Sequence, residues 1–226
     1  MKKVKNRQMI RISFLLCCIA LFSGMLHAQE KQPFYGKLVY SVQIADTAFN
    51  QLFRPRTMVV YTNDTIIRIE NESDQLGKQV IIKHLGLNKS YLLLQTPDQN
   101  FAIQTDHSSE QKKVSKYAFK KKCFKRKIAG KKANRLEVHH PDMKTERQFL
   151  YLKDYSPKYI NTFEDFPGLP VHYFIISVDG VYEYKLLSME EFLPSKDLFG
   201  IPSDYKRVTL DEFMDHILKV QGGTAE

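Results

Sequence analysis

Cysteines, phosphate-binding loops and long apolar runs are scarce in this chain of 226 residues, and each absence removes a class of function. The cysteines are Cys17, Cys18 and Cys123. The first two lie in an N-terminal segment expected to be removed, so Cys123 would stand alone and no internal disulfide could form. A domain of about 200 residues builds enough core without that staple. A nucleophilic thiol needs a base and a thiolate-stabilising site; Cys123 reads instead as a half-buried strand position. There is no glycine-rich phosphate loop, serine elbow or zinc-spaced set of His and Cys, and no repeat or low-complexity segment. No reaction of those classes is indicated. The expectation is a protein that is not an enzyme, with no cofactor and no metal.

The longest apolar run, residues 12–26, is shorter than the roughly 20 residues a spanning helix needs. Lys2, Lys3, Lys5, Arg7 and Arg11 surround its start, and Leu26-His27-Ala28 closes it. Basic, apolar and small-residue regions in that order predict a secretory signal peptide, residues 1–28, cleaved after Ala28. Leu16 is not small, so Cys17 makes a poor lipid anchor. Cleavage takes five basic side chains and no acidic one, so 34 basic and 25 acidic residues become 29 and 25. The net charge falls from +9 to +4, and the high isoelectric point largely belongs to the leader. What remains, 29–226, suits a single domain, periplasmic or secreted and monomeric.

Residues 163–187 organise that domain. They read as a proline- and glycine-braced loop, a long strand, an Asp179-Gly180 turn and a return strand. Asp-Gly favours a type I′ hairpin loop, and that register sets Ile175 opposite Tyr184 and Tyr173 opposite Leu186. One face then carries Val171, Tyr173, Ile175, Tyr182, Tyr184 and Leu186. The other mixes Phe174 and Ile176 with Glu183 and Lys185. A face so apolar must be covered by protein or by a ligand.

Elsewhere, residues 36–44 alternate, with Leu38, Tyr40, Val42 and Ile44 on one side. Residues 45–54 could form a short helix or a loop. Residues 57–62 and 65–70 make a hairpin sharing Met58, Val60, Ile67 and Ile69. Residues 78–85, 89–95 and 101–105 follow, then a polar connector over 106–118. Residues 120–128 and 131–139 pair about Gly130, and 144–152 comes next. A helix over 209–220 opens with a Thr209/Glu212 capping box and carries Leu210, Phe213, Met214, Ile217 and Leu218 as an apolar stripe. These elements predict a mainly β (α+β) fold. Nine or ten antiparallel strands would curl into a curved sheet or incomplete β-barrel, packed on the C-terminal helix.

Residues 112–132 hold eleven Lys or Arg and no acid, interleaved with Tyr117, Phe119 and Phe124. Strand lysines ordinarily keep an edge from pairing with another chain, which is the plainer reading. Alternatively, Lys120, Lys121, Lys122 and Lys125 could contact an anionic membrane surface peripherally. An exported protein has little nucleic acid to meet, so none is expected as a partner. His139-His140 with Asp142 superficially resembles a metal site, but neighbouring strand residues point to opposite faces. Glu164 and Asp165 read as loop solubility, with no sugar site for them to flank.

Phe166-Pro167-Gly168-Leu169-Pro170, followed by an apolar strand, resembles the block that names the GLPGLI-type family of exported bacterial proteins. Here Val171-His172 stands where that family continues Gly-Leu-Ile. Residues 127–133 and 198–205 resemble further blocks of the family and its periplasmic relatives, and Leu150-Tyr151-Leu152 replaces the usual Trp-Tyr-Thr. The family carries no established activity. Its relatives are similar to the lipoprotein-carrier (LolA/LolB-like) fold, which implies an incomplete barrel with a lipid-sized apolar hollow. The functional expectation is therefore an exported binding protein holding an acyl chain or lipoprotein lipid. Tyr173, Ile175, Tyr182, Tyr184 and Leu186 would line its hollow, with Phe213, Met214 and Ile217 as a movable plug. The alternative is an interaction module for an envelope protein, with a filled core and no ligand.

Overall fold

In the computed structural model the described residues are 31–45, 56–73, 77–87, 89–96, 98–106, 116–143, 145–160, 163, 166–177 and 180–222. Period-two patterns predicted half-buried strands, and these assemble into one large curved, unclosed sheet of twelve strands with one C-terminal helix. The first six are β1 (Tyr35–Ile44), β2 (Arg56–Asn63), β3 (Ile66–Ser73), β4 (Gly77–His84), β5 (Lys89–Gln95) and β6 (Asn100–Asp106). The others are β7 (Ala118–Ile128), β8 (Lys131–His139), β9 (Arg147–Leu152), β10 (Leu169–Ser177), β11 (Gly180–Glu191) and β12 (Tyr205–Thr209). Helix α1 spans Leu210–Gly222. The postulated helix or loop over 45–54 lies, beyond Ala45, outside the described residues, as does most of the polar connector.

The order across the sheet is β12-β6-β5-β4-β3-β2-β1-β11-β10-β9-β8-β7. Two meanders, β1 to β6 and β7 to β11, therefore meet where β1 pairs with β11. A bulge at Val39/Tyr40 interrupts that pairing. Alternation then makes one continuous apolar face. It carries Leu38, Tyr40 and Val42 on β1, Met58 and Val60 on β2, Ile67 and Ile69 on β3, and Phe101 and Ile103 on β6.

Three features depart from expectation. The hairpin of β10 and β11 pairs Tyr173 with Tyr184, Ile175 with Tyr182 and Ser177 with Gly180. That register is two residues from the one predicted, so every side chain keeps its face. Asp179 itself lies outside the described residues. The type I′ geometry is found instead at Ala129-Gly130, where both φ angles are positive (46° and 75°) between paired Ile128 and Lys131. Finally, β12 raises the strand number above nine or ten and lies parallel to β6. Its short stretch offers only Val208 to the interior, too weak an alternation to announce a strand.

A parallel partner requires a crossover. Residues 192–204 supply it, crossing the opposite face of the sheet. There Ile201 and Tyr205 pack on Val80, Ile82, Leu93 and Ala102, and Arg68 donates to the Leu198 carbonyl at 3.1 Å. The chain then enters α1 through the predicted capping box. The Thr209 N–H donates to the Glu212 carboxylate (2.7 Å), and the Glu212 N–H donates to the Thr209 hydroxyl (3.2 Å). Phe213 meets Phe101 edge-on at 5.2 Å, and His216 pairs with Asp98 at 2.8 Å.

The Gly168-Leu169-Pro170 brace is structural. A Cβ on Gly168 would sit 2.2 Å from the Leu152 carbonyl oxygen, so only glycine lets the backbones approach. Leu169 is fully buried, and the Tyr40 hydroxyl donates to the Pro170 carbonyl at 2.8 Å. Gly168→Ala is therefore expected to lower unfolding free energy by about 2–4 kcal/mol, as overpacking against backbone does, measured by urea denaturation. Phe213→Ala should release α1, seen as faster amide exchange across 210–222 while β1 and β11 stay protected.

Candidate functional site

Where the two meanders join, the continuous face opens into a groove of about 330 Å³. Ile175 of β10, Tyr182 and Tyr184 of β11 and Val42 of β1 make its apolar wall. Arg56, Asn71 and Gln79 make the opposite, polar wall, with Thr57, Glu72 and Ser177 also contributing. Register explains the meeting. Tyr184 pairs with Val42 and Val42 with Arg56, while Asn71, paired with Met58 on one side and Gln79 on the other, stands in the neighbouring row of the same face.

The eight residues expected around a hollow fall into three groups. Ile175, Tyr182 and Tyr184 line the groove. Tyr173 and Leu186 lie beneath it as core, each 1% exposed. Tyr173 stacks on Tyr184 at 4.8 Å with rings nearly parallel, and meets Tyr40 edge-on at 6.0 Å. Phe213, Met214 and Ile217 do not line the groove. They stand beside it, because α1 packs on β6 and β12, two strands beyond Gln79 on the same face. Phe213 anchors the helix, Ile217 is half-buried, and Met214 is exposed with Leu210 and Leu218. The polar wall escaped sequence reading. Arg56, Asn71 and Gln79 sit near strand ends, where isolated polar residues look like ordinary solvated positions.

Burial raises the Tyr40 hydroxyl far above the usual tyrosine range. Tyr173 is raised well above it by burial, then by the neighbouring Tyr40 and Tyr184. Both rings stay neutral beneath the groove, so the charges that reach it come from Arg56 and Glu72 of its lining.

The remaining candidates resolve plainly. His140 is buried against the Tyr117 ring at 4.6 Å, and its Nδ1 accepts the Asp142 N–H at 3.1 Å. His139 is exposed, so the pair diverges as strand geometry requires. Among the described residues no group of three or more His, Cys, Asp and Glu comes together. Glu164 and Asp165 lie outside the described residues. Cys123 is exposed rather than half-buried. It sits on the outermost strand, in a bulge between Lys122 and Lys125 that turns it from the sheet.

No protein-family model matches this chain, and no curated protein matches it significantly.

Because folding raises both tyrosine hydroxyls, their stabilising contribution is complete below the unfolded tyrosine range near pH 10 and is lost as pH rises above it. Tyr173→Phe should therefore flatten the fall in stability above about pH 10 in denaturant titrations at a series of pH values.

Proposed function

We propose that this protein is an exported, non-enzymatic binding protein. Its groove takes an amphiphile, an acyl chain against Ile175, Tyr182, Tyr184 and Val42 with the polar head toward Arg56, Asn71 and Gln79. The juxtaposition of those two walls in one groove carries the reading. About 330 Å³ is at the small end of the range for ligand sites, roughly 300–1,000 Å³. That size suits a short chain, or part of a longer one. Exposed Met214 on the neighbouring helix offers apolar surface onto which a longer chain could extend. The resemblance of Phe166 to Pro170 to the GLPGLI-type block would imply a carrier-like fold, which is in keeping with this reading but does not fix function.

Each buried methylene contributes about 0.8 kcal/mol, so affinity for fatty acids should rise roughly four-fold per added methylene until the groove is full. Titration with a chain-length series reads this directly, and Ile175→Asp should abolish uptake. A flat series, together with an empty protein in native mass spectrometry after gentle purification, would sink the reading.

A second reading, an interaction module for an envelope protein, has one observation in its favour. Phe192 and Leu193 are exposed (44% and 77%) beside a cleft of about 380 Å³ formed with Pro33, Phe34 and Tyr35. Pull-down from envelope extracts with Leu193→Asp as the control separates the two, since that change leaves the groove intact.

A further inference from the structure

The free edge of the sheet beyond β8 is strongly basic. Strand β7 ends the sheet, and nothing pairs with its outer side among the described residues. The hairpin β7–β8 carries nine Lys or Arg against a single acid, Glu137. Lys122 neutralises that acid, and Lys131 is bound to Glu191 at 3.1 Å. Lys120, Lys121, Lys125, Arg126 and Lys127 are all exposed.

Edge protection alone would account for the lysines, but not for Phe124. The bulge between Lys122 and Lys125 sets this ring out from the strand, 75% exposed, in the middle of the cations. An exposed aromatic in the middle of a basic edge runs against what a soluble surface needs and meets two needs of an anionic bilayer: countercharge for the headgroups and an apolar anchor at the interface.

We propose that the β7 edge docks on anionic phospholipid membranes, with Lys121, Lys125 and Arg126 against the headgroups and Phe124 inserted at the interface. A nucleic acid suits the surface less well. Stacking platforms lie in grooves that track a strand, whereas here the cations alternate to both faces of a protruding edge around one ring. Lys120 and Lys122 share a face with Glu137, and Lys121 shares the other with Leu136. Docking there leaves the groove unoccupied, so this inference stands independently of the amphiphile reading.

The test is co-sedimentation of the purified protein with phosphatidylcholine vesicles, with and without phosphatidylglycerol. Binding is expected only with phosphatidylglycerol, and should weaken as salt rises. Each cation near such a surface is worth roughly five-fold in partitioning, so the combined K121E/K125E/R126E variant, which also adds three repelling charges, should lose at least about a hundred-fold. That variant keeps the Lys122–Glu137 pair, and an unchanged thermal melt shows that the edge still folds. Phe124→Ser should cost roughly ten-fold while preserving the salt dependence. Absence of binding to phosphatidylglycerol vesicles at low salt would overturn the proposal. So would undiminished binding by the folded triple variant, or binding to an oligonucleotide but not to vesicles.

Discussion

The pairing of β1 with β11 is the constraint on which the structure depends. Each meander is built from neighbours in sequence, most of them joined by short turns, with longer connections over 45–55 and 153–168. The seam between them joins residues such as Gln43 and Glu183, 140 positions apart, whose side chains meet at 2.5 Å. Only there does the sheet become one object. The seam is secured from several directions. Tyr40 of β1 reaches past β11 to the Pro170 carbonyl, Tyr173 and Tyr184 stack across the hairpin, and His172 pairs with Glu183 at 2.6 Å. The groove opens over the same seam, because its apolar wall comes from β10, β11 and β1 on either side of it, and its polar wall chiefly from β2 to β4.

Rings dominate the packing on the β7 to β10 side. Phe163 and Phe166 come from the loop before β10 and close over Tyr117, Phe119 and Phe149. Phe166 also meets Tyr151 edge-on at 5.9 Å. The Gly168 approach to Leu152 fixes where that loop turns into the strand. The opposite end is held between two parts of the C-terminal segment, the crossover on one face and α1 on the other. The groove lies between the ring-packed strands and the α1 end of the sheet.

What the sequence made legible followed from periodicity. Alternation placed Val60 with Ile69 and Tyr173 with Tyr184 on one face, and a shift of two residues in pairing could not disturb that assignment. The capping box at Thr209 and Glu212 was equally readable, since its reciprocal bonds are local. Properties requiring distant partners were not readable. Nothing near Asp179-Gly180 says which two residues fill the loop. The parallel strand at Tyr205 depends on a crossover whose hold comes from Val80 and Ile82, more than a hundred residues earlier. The polar wall exists only because register brings Arg56 level with Tyr184, and Asn71 and Gln79 into the next row of the same face. Cys123 reads as half-buried until the bulge, a feature of pairing with β8, turns it outward.

The seam also orders the birth of the molecule. A chain emerges from the ribosome N-terminus first, so β1 to β6 can form their meander while one side of β1 still presents unpaired N–H and C=O groups. Its partner is made 140 residues later, on the order of ten seconds or more at ordinary rates of synthesis. During that interval the longest stretch of bare edge carries Leu38, Tyr40 and Val42 alongside it, the template on which strands of other chains add. The half-made molecule is therefore the state most exposed to aggregation.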